Sequence, residues 1–311
     1  MRVFLAGATG VVGRRLVPLL VGEGHAVTAI ARSPEKRALL ERAGAAPVQV
    51  DLFDRAAVTR AVAGHDAVIN VATHIPSSSA RMLLPGAWKE NDRIRREGAA
   101  NLASAALEAG AGRLIQESFA PIYADGGERW IDESWPSRPV RYNRSVLDAE
   151  RTAAEFTARG GTGIVLRFAG FYGPDAFQVL DAVKMVRKGW APLPGTPEAY
   201  FSSIHHDDAA TAVAAALGAR AGVYNVADDE PVTRRDYADS LAAAIGVPPP
   251  KLLPAWLARL GGSIAELLSR SLRISNRTLR QETGWGPQYP SVREGWPAVM
   301  AELRAASAAH P

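Results

Sequence analysis

The residues whose spacing most clearly suggests chemistry are glycines near the start of the chain. Gly7-Ala8-Thr9-Gly10-Val11-Val12-Gly13 follows the apolar run Val3–Ala6 and opens a helical pattern. The first glycine allows a tight turn, the second lets a pyrophosphate approach the backbone, and the third lets helix and strand pack closely. Because a helix N-terminus favours anions, a dinucleotide phosphate site is predicted at Gly7, Thr9, Gly10, Val11, Val12 and Gly13.

A second position bears on which dinucleotide is bound. An NAD site usually places Asp or Glu about 20 residues after the glycines, where the carboxylate binds the ribose 2′-hydroxyl. No carboxylate occurs between Gly24 and Pro34, and Arg32 stands there instead. A guanidinium suits a 2′-phosphate. The sequence therefore predicts NADP(H) as the preferred cofactor, with NAD(H) as the alternative.

Two more strand ends supply candidate cofactor contacts. Asp51 and Leu52 follow the third predicted strand, where a carboxylate can accept from an adenine amino group. Val71, Ala72 and Thr73 follow the fourth, where small residues allow close approach of the ribose. His74 comes next and is predicted to face the substrate, since ligands bind at the carboxyl edge of such sheets.

The elements that must position these residues alternate between β-rich runs and helical patterns. The predicted strands are Val3–Ala6, Ala26–Ala31, Pro47–Val50, Ala67–Val71, Leu114–Glu117 and Gly163–Arg167. The predicted helices between them are Val11–Leu20, Glu35–Ala43, Asp54–Ala63, Gly86–Ala109 and Tyr142–Arg159. Such alternation indicates an α/β fold, a Rossmann-type doubly wound parallel sheet covered by helices on both faces.

Beyond about residue 170 the pattern changes to turn-rich segments and helices with short strands. Ala209–Leu217 reads as a helix and Val223–Val226 as another strand. We therefore predict a dinucleotide-binding domain over 1–170 plus roughly 209–228. A smaller C-terminal substrate-binding region is predicted to comprise 171–208 and 229–311.

Composition narrows the possible chemistry. The 311 residues are 47% hydrophobic and include no cysteine, so disulfides, thiolate metal sites and a cysteine nucleophile are excluded. The net charge is only +4 and the basic residues are scattered, which predicts no nucleic-acid partner. The apolar run at the start is too short for a signal peptide. The sequence thus predicts a cytoplasmic protein with no membrane segment.

Taken together, these motifs resemble the short-chain dehydrogenase/reductase superfamily, in its extended or atypical, epimerase/dehydratase-like branch. The resemblance covers nearly the whole chain. It includes Gly7–Gly13, Asp51-Leu52, Ser118 after the fifth strand, Tyr142, the run Leu166–Pro174 and the run Ser203–Ala209. It implies that Phe168 contacts the cofactor, and that a homodimer can form through helices 92–109 and 142–159.

The resemblance also implies a catalytic unit of Ser or Thr followed by Tyr-x-x-x-Lys. Ser118 matches the first position, where the hydroxyl polarises the substrate oxygen, and Tyr142 matches the second, where the phenol exchanges a proton. The lysine is missing, because position 146 is valine and no lysine occurs between Lys89 and Lys184. A free tyrosine has a pKa of about 10, so only on the order of one in a thousand is phenolate near pH 7. Proton donation by Tyr142 is therefore less compromised than proton abstraction.

Other residues are weaker candidates for this site. Arg167 is the more plausible substitute for the missing cation, since Arg144 projects from a different side of the predicted helix. Tyr123, Phe119 and Phe171 are expected near the substrate. His205-His206-Asp207-Asp208 has the composition of a metal site, but adjacent residues converge poorly on one ion, so no metal is predicted.

The sequence thus predicts an NADPH-dependent oxidoreductase that reduces a carbonyl group of a small, partly apolar molecule. Tyr142 would donate the proton and Ser118 would polarise the oxygen. Two alternatives stay open: a nucleotide-sugar epimerase or dehydratase with retained NAD, and a dinucleotide-binding sensor or accessory protein without turnover. The valine at position 146 favours the sensor.

Overall fold

A parallel sheet of seven strands forms the centre of the protein. The computed structural model describes residues 1–76, 78–82, 84, 86–193, 195–252 and 262–309. Numbered by chain order and given in spatial order, the strands are β3 (Ala46–Val48), β2 (Ala26–Ile30), β1 (Arg2–Ala6), β4 (Ala67–Asn70), β5 (Arg113–Phe119), β7 (Thr162–Phe168) and β11 (Gly222–Val226). Every neighbouring pair is parallel. The order reverses at β1, as in a doubly wound sheet.

Helices cover both faces of the sheet. The helices are α1 (Gly13–Gly22), α2 (Pro34–Arg42), α3 (Arg55–Val62), α4 (Ser79–Met82), α5 (Lys89–Arg93), α6 (Ala99–Glu108), α7 (Val146–Ala158), α8 (Phe177–Arg187), α9 (His206–Ala216), α10 (Arg234–Ile245), α11 (Gly262–Ser269), α12 (Arg277–Thr283) and α13 (Val292–Ala309). None of those in the described ranges has the length and apolar character needed to cross a membrane.

Two apolar cores lie on opposite sides of the sheet. On one side α1 and α9 pack together, with Leu16 and Val213 in the core. On the other side α3, α6 and α7 contribute Val58, Leu102 and Phe156. Burial of nearly continuous apolar strands between helix layers is typical of parallel sheets. The predicted Rossmann-type fold is confirmed.

Three two-stranded sheets lie outside the main sheet. They pair β8 (Gly170–Tyr172) with β10 (Ser203–His205), β9 (Tyr200–Phe201) with β12 (Val232–Thr233), and β6 (Trp130–Ile131) with β13 (Arg273–Ile274). A third core, centred on the buried Trp296, joins α8, α10 and α13. Strand β11 nevertheless belongs to the main sheet, which agrees with the predicted return of the chain near 209–228. The domain boundaries themselves stay a prediction.

Two predicted helices differ from the structure near the candidate site. The helix predicted over Gly86–Ala109 begins at Lys89, and Ile94–Gly98 forms a π-helical turn between α5 and α6. The helix predicted over Tyr142–Arg159 begins only at Val146. Arg141–Asn143 instead forms a 3₁₀ turn, in which the Asn143 side chain accepts a hydrogen bond from the Val140 amide at 2.9 Å. Tyr142 therefore lies before the helix and not at its head.

Candidate active site

The glycine turn after β1 has the geometry that the sequence predicts. Gly7 has φ +90°, a conformation that side chains other than glycine rarely adopt. A Cβ there would lie 2.5 Å from the Val71 carbonyl carbon, so the turn packs directly against the backbone after β4. A Cβ at Gly13 would lie 2.2 Å from the Gly7 carbonyl oxygen, so the start of α1 also packs on this turn. Both positions require glycine.

The second glycine leaves a cradle open toward solvent. Gly10 is exposed, and the nearest atom to a Cβ placed on it would be the Gly7 carbonyl oxygen at 3.3 Å. Its amide donates to that same carbonyl at 3.0 Å, which closes the turn just before α1 begins. A turn with glycine at both ends of its first four residues, at a helix N-terminus, fits a dinucleotide pyrophosphate. Gly7–Gly13 are the residues that would hold it.

The other predicted cofactor contacts lie along one edge of the sheet. Because all seven strands are parallel, their carboxyl ends meet there in the order β3, β2, β1, β4, β5, β7. Asp51, Arg32, the glycine turn, Val71 and Phe168 follow that same order. The arrangement offers contacts from one end of an extended dinucleotide to the other, at the place where α/β sheets bind ligands.

The side chains at the β2 and β3 ends differ in how far they are engaged. Arg32 is exposed, next to Ser33, which caps α2 by accepting from the Lys36 amide at 3.4 Å. Asp51 is exposed, and its carboxylate accepts from the Phe53 amide at 3.0 Å. Leu52 is half-buried, and its carbonyl accepts from Asn101 at 2.8 Å. These positions are compatible with the predicted roles.

The segment after β4 is hydrogen-bonded to α5. Val71 and Ala72 are half-buried, whereas Thr73 and His74 are exposed. The His74 amide donates to the buried Asn91 side chain at 2.8 Å, which holds the segment in place. Its imidazole therefore projects from an anchored backbone.

Ser118 is placed differently from its predicted role. Its side chain is fully buried, and its hydroxyl donates to the Glu150 carboxylate at 2.5 Å. Ser118 is paired in register with Arg167, so the two side chains project from the same face of the sheet, toward α7. The next residue, Phe119, projects from the opposite face and is half-buried. In this structure the hydroxyl therefore donates to Glu150.

Arg167 is neutralised by the same carboxylate. Its Nε and Nη2 donate to the two Glu150 oxygens at 2.8 and 2.7 Å, and both side chains are about nine-tenths buried. Burial opposes the charged form, but the hydrogen bonds and charges of Glu150 and Tyr123 together outweigh it and raise the pKa of Arg167. A charge paired in this way does not replace the missing lysine. The proposed substitution by Arg167 is therefore corrected: the residue is part of the framework.

Tyr123 is also part of this framework. It is fully buried, its hydroxyl donates to Asn225 at 2.8 Å, and it accepts from Arg167 at 2.8 Å. Burial raises the pKa of Tyr123 to about 12, although the Arg167 charge acts in the opposite direction. Its predicted contact with the substrate is corrected, because the phenol hydroxyl both donates and accepts a hydrogen bond inside the core.

The position where the resemblance implies a lysine is apolar. Val146 is fully buried and lies one helical turn before Glu150, on the same face of α7. The backbone of Tyr142 lies in the 3₁₀ turn just before α7, while its side chain lies outside the described part of the structure. In the predicted unit, the Ser118 hydroxyl is thus engaged by Glu150, and position 146 carries no cation.

Aromatic rings line the carboxyl ends of β5 and β7. Phe168 is buried and its ring centroid lies 5.3 Å from that of the half-buried Phe171. Phe171 in turn lies 5.8 Å from His206. With Phe119 at the end of β5, these rings give this part of the edge an apolar surface. Such a surface suits a partly apolar substrate.

The sequence interpretation missed a buried ion pair at the same edge. Arg95, in the π-helical turn, donates to Glu117 of β5 at 3.0 Å, and both residues are buried. Arg95 Nε and the second Glu117 oxygen have no hydrogen-bond partner. π-Helical turns are frequent at functional sites. Glu117, a charged residue in a strand predicted to be buried, was the one signal in the sequence for such a partner.

Arg15, from helix α1, contacts the histidine and aspartate run His205–Asp208. His205, Asp207 and Glu302 place possible ligand atoms within 4.8 Å of one another. Arg15, however, donates to Asp207 and pairs with Asp175 at 2.6 Å. Burial lowers the pKa of His205 to about 4, against the opposing charge of Asp207. The guanidinium already supplies positive charge to this group.

With this geometry established, comparisons with known proteins identify the class. Residues 7–171 match the model of a family described as NAD(P)H-binding. The chain belongs to this family. The predicted membership of the epimerase/dehydratase-like branch of the short-chain dehydrogenase/reductases is confirmed, and so is the resulting assignment as an oxidoreductase that binds a nicotinamide dinucleotide.

Three known proteins illustrate the similarity. A 3-diazoavenalumate denitrifying reductase from Streptomyces sp is 36% identical, over 95% of this chain and 99% of the relative. A 4-hydroxy-2-methyl-3-oxo-4-farnesyl-3,4-dihydroquinoline-1-oxide ketoreductase from Stigmatella aurantiaca is 29% identical, over 88% and 82%. The solved UDP-glucose 4-epimerase of Thermus thermophilus, in complex with NAD, is 26% identical with a TM-score of 0.76, over 98% and 100%.

Proposed function

We propose that this protein is an NADPH-dependent reductase whose hydride acceptor is an aromatic molecule activated by a diazo group. The observation that carries the proposal is the engagement of Ser118 by Glu150, together with the buried Val146. With the Ser118 hydroxyl engaged by Glu150 and no cation at position 146, neither position is free to polarise an oxygen or to assist proton transfer. An acceptor that needs neither is the best match to such a site.

The chemistry of the hydride acceptor determines whether the reaction needs a proton donor. A bound nicotinamide dinucleotide in its reduced form supplies one hydride. When hydride replaces a diazonium group on an aromatic carbon, a C–H bond forms, the C–N bond breaks, and N₂ leaves with the electron pair of that bond. The charges balance without a proton. The denitrifying reductase from Streptomyces sp, at 36% identity, supports this class of acceptor.

Reduction of a carbonyl group is the second candidate. It needs one proton for the oxygen in addition to the hydride, and Tyr142 is the residue that would donate it. The position of Tyr142 in the turn before α7 and the ketoreductase relative support this candidate. Ser118 would contribute only to the framework in this reaction.

The preference for NADPH rests on Arg32. Its side chain is exposed at the end of β2, where no carboxylate is present to bind a ribose 2′-hydroxyl. A guanidinium is always charged at physiological pH and suits phosphate. NADH is expected to bind more weakly.

The test compares wild-type protein with Tyr142→Phe on two acceptors. NADPH consumption is followed by absorbance with an arenediazonium carboxylate and with a matched aryl ketone. We expect the diazonium to turn over in both proteins with rates within about threefold. General acid catalysis is typically worth about 10²- to 10⁴-fold, so a ketone reaction would fall by about a hundredfold or more in the variant.

The outcomes separate the candidates. Turnover of the ketone alone, lost in Tyr142→Phe, would replace the first candidate with the second. Tight NADPH binding without turnover on either acceptor would favour the non-catalytic sensor. Interconversion or dehydration of nucleotide sugars with retained NAD would contradict both reductase candidates.

A homodimer is part of the same proposal. The helices expected to form it occur as α5–α6 and α7, and α6 packs beside α7 on one face of the sheet. Light scattering coupled to size exclusion tests this arrangement. A mass near 66 kDa, twice the 33.1 kDa of one chain, is expected.

A further inference from the structure

The substrate-side region contains a buried guanidinium without a counter-ion. Arg234, the first residue of α10, is only 1% exposed. Its Nη2 donates to the Arg270 carbonyl at 2.7 Å, but Nε and Nη1 have no hydrogen-bond partner. Among the described residues, none of the ion pairs includes Arg234. The remaining residues of the chain, 77, 83, 85, 194, 253–261 and 310–311, include no Asp or Glu.

An uncompensated buried charge is costly, and proteins usually pair such a group. Burial lowers the pKa of Arg234 to about 10, while the more distant Asp125 acts in the opposite direction. The free nitrogens offer one N–H from Nε and two from Nη1. Gly195 comes so close that a Cβ on it would lie 2.7 Å from Nε, so backbone and not a side chain covers that nitrogen.

One line of contacts connects Arg234 to the carboxyl end of β7, where the nicotinamide is expected to bind. The guanidinium lies 6.0 Å from the centre of the Phe201 ring. Phe201 packs so closely on Gly170 that a Cβ there would lie 2.6 Å from the ring. Gly170 begins β8, two residues after Phe168, whose ring is at the carboxyl end of β7.

A second line of contacts connects Arg234 to the turn that contains Tyr142. Arg270, which accepts from Arg234, donates through Nη1 to the carbonyls of Tyr123 and Arg138 at 3.0 and 2.8 Å. The helix α11, which precedes Arg270, packs against the 3₁₀ turns Ala120–Ile122 and Arg141–Asn143. Arg234 is thus linked through Phe201 to the end of β7, and through Arg270 and α11 to the turn that contains Tyr142.

We infer that Arg234 binds the anionic end of the substrate, and that this end is a monocarboxylate. The inference rests on the proposed reductase function and adds the class of molecule that the site accepts. A single negative charge is favoured because, among the buried arginines of the described residues, Arg234 alone has no ion pair. Arg270 already serves two carbonyls and donates to Glu266 at 3.1 Å. A phosphate dianion would normally need more charge than Arg234 supplies.

The test measures binding without turnover. Calorimetric titrations use the protein saturated with NADP⁺ and two carboxylates, cinnamate and octanoate, each matched with its methyl ester. Charge-assisted hydrogen bonds are about twice as strong as neutral ones. We therefore expect at least one carboxylate to bind wild-type protein about tenfold or more tighter than its ester.

The variants Arg234→Met and Arg234→Lys test whether this residue is the receptor. We expect Arg234→Met to lose the preference for the acid while its affinity for the ester stays within about twofold, and Arg234→Lys to recover part of it. Arg235→Met is the matched control, since Arg235 is the next residue but pairs with Asp239 and donates to the Pro250 carbonyl at 2.9 Å. It should retain the wild-type preference.

Several results would overturn the inference. These are equal affinity of wild-type protein for acid and ester, an unchanged acid preference in Arg234→Met, and no binding of either carboxylate up to about 10 mM. The comparison of acid with ester in wild-type protein needs no variant, and Arg234→Lys tests the residue where Arg234→Met does not fold: an acid affinity unchanged in Arg234→Lys would also overturn the inference. Acid binding that depends on Arg234 without turnover of any acceptor would contradict the proposed reductase and leave the carboxylate site intact.

Discussion

The nucleotide edge of the sheet, at β1 to β4, and the catalytic edge, at β5 and β7, are built on different physical grounds. At the nucleotide edge, backbone conformation and the absence of side chains form the cradle, as at Gly7 and Gly13. At the catalytic edge, side chains define the site, and here Ser118, Glu150 and Arg167 bond to one another. The first edge is shaped by glycine backbone, whereas at the second Ser118 and Arg167 bond to Glu150.

This difference teaches where function can change without loss of the fold. A backbone cradle tolerates few substitutions, because any side chain collides with neighbouring backbone. A catalytic hydroxyl can be recruited into an ion-pair network by one carboxylate on the facing helix. Each experiment below tests whether the two edges depend on these separate causes.

The largest effect is expected from breaking the network at the catalytic edge. Glu150→Gln leaves the buried Arg167 charge without a counter-ion, and loss of one partner of a buried pair costs about 3–5 kcal/mol. Urea denaturation measures the free energy of unfolding. The control is Asp148→Asn on the same helix, which removes the exposed pair with Arg151 at 3.1 Å and should cost about 1 kcal/mol or less.

Equal losses in the two variants would mean that the Glu150 pair is not a structural centre. The free energies of unfolding would then not support a structural role for the residues at the catalytic edge.

The next effect separates backbone strain from close packing at the nucleotide edge. Gly7 and Gly24 have similar φ values, +90° and +82°, but a Cβ at Gly24 meets no atom within 4 Å. Gly24→Ala should cost about 1–2 kcal/mol from strain alone. Gly7→Ala should cost about 1–3 kcal/mol more from the collision with Val71, and NADPH binding should weaken with it. Similar stability and similar NADPH affinity in the two variants would refute the cradle.

A smaller effect concerns the choice of nucleotide. Arg32→Ala should shift the ratio of NADPH to NADH affinity toward NADH by about tenfold, which corresponds to about 1.4 kcal/mol. Arg37→Ala, on the exposed side of α2, should leave the ratio unchanged. Fluorescence titrations with both nucleotides give the ratio, and an unaltered value in Arg32→Ala would show that this guanidinium does not bind the 2′-phosphate.

The sequence was informative wherever local rules determine the structure. The glycine spacing predicted the turn after β1, and apolar runs predicted six strands of the main sheet, with ends within about two residues for most of them. The seventh, β11, was recognised from Val223–Val226. The alternation of strands and helices was sufficient to predict the order in which the candidate cofactor contacts lie along the carboxyl edge of the sheet.

The catalytic edge depends on tertiary contacts that spacing does not reveal. Ser118 was matched by position along the chain, but its function depends on which face of β5 it occupies and on what α7 places opposite. Helix α7 starts four residues later than predicted because Asn143 closes a turn with Val140. Neither Arg95 nor Arg234 belongs to a motif, and only burial marks them.

The most direct test of the central claim is Ser118→Ala, with activity and stability measured on the same preparation. Hydrogen bonds to charged groups contribute about 1.5–3 kcal/mol, so the free energy of unfolding should fall by about that amount. The rate of NADPH oxidation with the acceptor that the wild-type protein reduces should stay within about threefold. Unchanged stability with a rate lowered about a hundredfold or more would contradict the account and return Ser118 to the catalytic machinery.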